Sequence, residues 1–194
     1  EEEAPKMAEV SWRPAPGVAR AIARYREEAE RLFEGPKDRW QEDLLKHPKR
    51  SEVSFLYHVA DRAVWHAEDA PDSIIVLVGF VERLAEQGRD DSDKAETFAL
   101  LALAKGVAHR AQGDHVAALQ AYVTGERHLF DRALSHEYAR LTLARAASLR
   151  WLDRLDEAEA ALVLARQVFG RLTDVGGEAK ALWELGNIAY HRGR

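Results

Sequence analysis

With 194 residues, 46% of them hydrophobic and 31% charged, the chain has the composition of a folded globular domain and not of a disordered segment. A formal charge of −5 and a pI of about 5.9 provide no global basic field for a phosphate backbone, so nucleic acid is not an expected partner. The absence of cysteine removes disulfides, thiolate zinc sites and cysteine nucleophiles; it fits a cytoplasmic protein and leaves only His and carboxylates as metal ligands.

Residues 1–17 read as an extended lead. "EEEAPKMAEV" is acidic where a signal peptide would be basic, and with Glu at position 1, Met7 is a candidate natural start. From Val18 to Glu34, Val18, Ile22, Tyr25, Ala29, Leu32 and Phe33 recur at helical spacing until Gly35-Pro36 stops the pattern. A shorter helix carrying Trp40, Leu44 and Leu45 precedes Pro48, and Ser51 is placed to cap the next helix. Residues 18–50 therefore form an N-terminal helical cap.

A helical face over Glu52 to Glu68 follows, built on Val53, Leu56, Ala60, Ala63 and Val64. The apolar run Ser73 to Val81 is rich in Ile and Val and tempts a strand reading. Pro71 at a first helical position, and the unbroken continuation through "ERLAEQG" to Gly88, favour a buried helix. That run is far too short to span a bilayer, so no membrane is expected as a partner. Residues 51–90 make one hairpin. Asp93 and Glu96 have capping-box spacing at the head of a long helix reaching Gln112, and Gly113-Asp114 ends that helix and starts another.

An internal period organises the remainder, residues 91–194. Gly106, Ala146 and Gly186 lie 40 residues apart, and so do Gly113, Asp153 and Gly193. In that register Ala118 falls opposite Ala158, Tyr122 opposite Leu162 and Gly125 opposite Ala165. Small residues at these positions let stacked helices approach closely while Tyr122, Leu149 and Leu162 fill the gaps, and each hairpin needs a neighbour to cover its apolar face.

"LGNIAYHRG", "GDHVAALQAY" and "LDEAEAALVLA" resemble the first and second helices of tetratricopeptide repeats (TPRs) over about residues 92–194. The chain departs from that family in its period of 40 against the usual length of about 34, and in Lys105 and Arg145, which stand where Leu is usual. The resemblance implies an all-α fold, antiparallel helical hairpins stacked as a TPR-like α-solenoid with an N-terminal cap. On that reading the last repeat is expected to be truncated: Leu182, Leu185, Ile188 and Ala189 would form a helix without its partner helix in this sequence, an apolar edge that offers a route to self-association.

Signatures of catalysis are missing from the sequence. The histidines form no HExxH, "HAED" at His66 to Asp69 has no cysteine pair to complete a deaminase site, and no phosphate loop or G-x-S-x-G serine occurs. No catalytic, cofactor-binding or metal-binding residue is assigned, and no enzyme activity is expected.

The TPR resemblance implies instead a concave groove lined by the first helix of each hairpin. It would comprise Leu103, Val107 and Arg110; Arg140, Leu143, Ala147, Arg150 and Trp151; and Lys180, Trp183, Asn187 and Tyr190. The partner-binding set is Arg110, Arg140, Arg150, Trp151, Lys180, Trp183, Asn187 and Tyr190, suited by charge and aromatic surface to an acidic or C-terminal peptide of a partner protein. An alternative assignment packs Trp151 and Trp183 between hairpins. Asn187 matches one asparagine of the family's carboxylate clamp, whereas Val107 and Ala147 stand at the equivalent places, so a complete clamp is not expected. The function implied is a non-catalytic interaction scaffold or adaptor. The alternative is a ligand-sensing or regulatory segment of a larger bacterial-type signalling or transcription-control protein.

Overall fold

The computed structural model describes residues 15–88 and 93–193, and among them nine α-helices and no strand. In chain order these are α1 (Pro16–Glu34), α2 (Trp40–Lys46), α3 (Val53–His66), α4 (Pro71–Gln87), α5 (Lys94–Ala111), α6 (His115–His128), α7 (His136–Trp151), α8 (Leu155–Arg171) and α9 (Val175–His191). The protein is all-α. The run that tempts a strand reading lies inside α4, where Ile74, Leu77, Val78 and Val81 are buried at helical spacing and Pro71 is the first helical residue. No helix among the described residues is long and apolar enough to cross a membrane.

From α3 onward each helix packs on its successor, and the odd-numbered helices also pack on one another, α1 on α3, α3 on α5, α5 on α7 and α7 on α9. α2 packs on α4, but α4, α6 and α8 hardly meet. This leaves one groove on each side of α6, of about 390 Å³ towards α4 and about 380 Å³ towards α8. α5 is the centre of the molecule. Thr97 is buried, and so is every residue from Ala99 to Ala108 except Lys105, because α3, α4, α6 and α7 surround the helix.

The 40-residue period is written into the backbone. Gly113, Asp153 and Gly193 follow the ends of α5, α7 and α9, and all have positive φ, 82°, 59° and 69°; Thr173 after α8, outside that register, shares it at 57°. At the first two, one N–H bonds back to the third-last carbonyl of the turn and the next reaches further: Gly113 to Arg110 and Asp114 to His109, then Asp153 to Arg150 and Arg154 to Leu149. That is the Schellman closure, which glycine adopts freely and Asp153 adopts at some strain. Close approach accounts for two more glycines. A Cβ on Gly106 would lie 2.2 Å from Cε1 of the Tyr122 ring, and one on Gly125 would lie 2.8 Å from Leu141.

Some capping expectations fail. Asp93 sits at the head of α5 without capping it, because its carboxylate accepts from Ser54 Oγ at 2.6 Å while Glu96 pairs with Arg132. The long-range partners outcompete the local box. Ser51 does not cap α3 either; the residue before the helix is Glu52, whose carboxylate is held by the Tyr25 hydroxyl at 2.6 Å. Asp114 does cap α6, accepting from the Ala117 N–H at 2.9 Å.

Candidate functional site

The residues expected to line a groove divide into three groups. Leu103 and Val107 do not line one: they are 3% and 7% exposed, because α3 and α7 reach across α5. There the Tyr57 hydroxyl donates to Glu137 at 2.7 Å, and Arg140 bonds Asp61 at 2.7 Å. Burial first, and then Glu137, push the Tyr57 hydroxyl well above its ordinary range. Arg140 is thus one end of a strap over α5.

Arg110 and Arg150 are also engaged within the chain. Arg110 pairs with Glu68, and Arg150 Nε lies 3.4 Å from Glu184 on α9. The local reason is helical geometry: Arg110 and Arg150 each stand four residues beyond a small residue, Gly106 or Ala146, in the last turn of an odd helix. Their cationic heads are therefore brought to the edge where neighbouring helices supply carboxylates.

Lys180, Trp183 and Tyr190 on α9, together with Trp151 at the end of α7, remain at the surface. Trp151, Trp183 and Tyr190 are 65%, 66% and 83% exposed. Trp151 stacks on His115 with ring centroids 5.4 Å apart, and the Arg150 guanidinium lies over its ring at 5.9 Å. Asn187 is half-buried and donates to Glu184 at 3.5 Å. On the same helix Ile188 is buried and Leu185 packs beside it against α7 and α8, so only Leu182 of the expected apolar edge is exposed.

Beneath the Trp151–His115 stack lies a polar cluster that sequence reading does not pick out. Tyr122 and Ser148 are fully buried with their hydroxyls set against each other and against Arg110, and Tyr122 Oη, Ser148 Oγ, Arg110 Nε and His115 Nδ1 are all buried without a well-formed hydrogen bond. Burial pushes the Tyr122 hydroxyl up to about 12, against the pull of Arg110 beside it. Burial and then Arg110 lower the His115 pKa. Polar groups of Tyr122, Ser148 and Arg110 thus gather at this end of α5, α6 and α7, where the two hydroxyl oxygens can accept as well as donate. Tyr122 reads in sequence as a space-filling residue and Ser148 as a serine lacking a nucleophile motif. Their only hint is polarity at core positions.

Among the described residues no group of three or more His, Asp or Glu is arranged to hold a metal ion. A scan against protein-family models and searches of curated proteins and of solved structures each return no match for this chain.

Proposed function

We propose that the protein is a non-catalytic interaction scaffold, a TPR-like stack of helical hairpins that holds a partner protein or peptide on the α7–α9 face. The observation that carries this reading is the set of exposed aromatics, Trp151, Trp183 and Tyr190, on two adjoining helices. Large aromatic side chains left in water beside a cationic residue are the usual anchors of an interface.

Support for the repeat architecture comes from the recurrence of positive φ at 113, 153 and 193 and from the packing of odd helices on odd helices. In such a stack the odd helices line the inner side. Because Arg110, Arg140 and Arg150 already hold carboxylates of this chain, the face is aromatic more than basic. Its cation is Lys180, exposed and without an ion pair among the described residues. The fitting partner segment presents apolar side chains to Trp151 and Trp183 and an acidic group to Lys180.

The test is affinity capture with the intact chain and with the double variant Trp151→Ala, Trp183→Ala. Both side chains are exposed, so circular dichroism should show an unchanged fold. Loss of the captured partner is the expected result, and capture at the level of the unaltered chain would reject the assignment.

A further inference from the structure

The two departures from the TPR pattern, Lys105 and Arg145, occupy one register position 40 residues apart; the third copy of that position is Leu185. Each emerges into one of the grooves beside α6. Lys105 lines the α4–α6 groove with His109 one turn on, over a wall of Ala102, Ala117 and Ala121. Arg145 lines the α6–α8 groove with Leu149 one turn on, beside Leu119 and Val123 and with Arg127 and Arg154 at the rim. Gln120 and Thr124 on α6 line both. Nothing in the packing of α5 requires a cation at a half-buried position otherwise surrounded by Ala, Gly and Leu.

The charges lining these grooves are mostly basic, and of the two lining acids, Glu82 and Glu157, the second is taken. Glu126 is held by Arg145 at 2.9 Å and by the Thr142 hydroxyl at 3.2 Å, and Glu157 takes Arg154 through two bonds of 2.7 Å. The side chains of Lys105 and Arg127 have no ion pair or hydrogen bond among the described residues, and the one unpaired acid lining the grooves is Glu82 on the α4 wall. A half-buried ammonium and an exposed guanidinium on either side of one helix, above aliphatic walls, complement a ligand carrying two carboxylates.

We infer that an extended acidic segment of a partner protein lies across α6, placing one carboxylate in each groove, at Lys105 and at Arg127. Crossing a helix about 10 Å wide at about 3.3 Å per extended residue sets the two acidic residues about three positions apart. The crest residues Gln120 and Thr124, both exposed, offer polar groups to the crossing backbone, and the small or aliphatic walls admit apolar side chains between the acids. This face is formed by α4, α6 and α8 and is separate from the α7–α9 aromatic face.

The probe is a fluorescein-labelled peptide, acetyl-Gly-Glu-Ala-Ala-Glu-Gly-amide, titrated by anisotropy against the full chain at low salt, with its Gln-for-Glu twin as control. The expected result is saturable binding of the diglutamate peptide that the twin does not show. The double variant Lys105→Leu, Arg127→Gln should weaken it by about tenfold or more, because two ion pairs are removed; Leu at 105 copies the third repeat, so the melting temperature should hold. Glu82→Gln should tighten binding by removing the competing acid. Trp151→Ala, Trp183→Ala should leave it within about twofold, which separates failure here from failure of the aromatic face. No binding to the unaltered chain, equal binding of the twin, or full binding by the Lys105→Leu, Arg127→Gln variant would each overturn the inference. So would equal competition by a short single-stranded oligonucleotide, or loss of binding in the tryptophan variant.

Discussion

Gly106 and Gly186 stand at the same position of the 40-residue register, yet the same substitution should act on them with opposite sign. In α5 a Cβ on Gly106 would fall 2.2 Å from Cε1, 2.6 Å from Cδ1 and 2.7 Å from Cζ of Tyr122, a fully buried ring. Overpacking of this kind costs about 1–3 kcal/mol, and contact this short belongs at the upper end. Alanine's better helix propensity returns about 1 kcal/mol, so Gly106→Ala should destabilise by about 2 kcal/mol. In α9 a Cβ on Gly186 meets nothing within 4 Å, and Gly186→Ala should instead stabilise by up to about 1 kcal/mol. For a chain of this size the first change lowers the melting temperature by about 4–8 °C and the second raises it by about 2–4 °C.

The assay is thermal and urea denaturation of both variants beside the unaltered chain. A third variant gives the mechanism its own control. The next repeat has Ala146 and Leu162 at the corresponding positions, both buried in one cluster. Gly106→Ala with Tyr122→Leu copies that pair and should recover most of the loss. If Gly106→Ala melts at or above the unaltered chain, or if trimming Tyr122 recovers nothing, the close approach of α5 and α6 through this glycine is wrong.

Acid should destabilise the protein below neutrality. His47, His58, His66 and His115 all have lowered pKa values, burial being the leading cause at each. The fold therefore prefers neutral imidazoles: their contribution is complete above the unfolded value of about 6.5 and is lost as pH falls below it towards the folded values. Glu28 titrates lower. Its hydrogen bond from Lys49 holds its carboxyl below the ordinary carboxylate range, so that stabilisation persists through this window. Melting temperatures measured from pH 7 down to pH 5 should decline, and a flat profile would refute the reasoning. Asp114→Ala removes the side-chain acceptor of the Ala117 N–H and should cost about 1 kcal/mol, read by urea denaturation with the fold intact, since α8 starts from a similar backbone at Arg154 without a side-chain cap. No loss of stability would show that the Asp114 cap contributes nothing.

Much of the fold was legible because it is local. Helical periodicity, Pro71 at a first turn and Gly-Asp at a turn act over a few residues, and repetition at 40 residues marks three of the four positions among the described residues where the backbone takes positive φ, Thr173 after α8 being the fourth. Asp93 and Ser51 mark where local reading stops. Their side chains could cap a helix, but a serine 39 residues away and a tyrosine–glutamate contact across two helices decided otherwise.

The candidate site was legible in its residue types and not in its arrangement. Sequence alone placed Arg110, Arg140 and Arg150 on helical stretches, with Trp151, Trp183 and Tyr190 on the same stretch or a later one. Only the tertiary structure decided that those arginines answer Glu68, Asp61 and Glu184, that Leu103 and Val107 are covered by a strap between α3 and α7, and that Lys105 and Arg127 keep their charges unpaired. Charge pairing is set by distance in space between segments as many as 79 residues apart, and no periodicity along the chain encodes it.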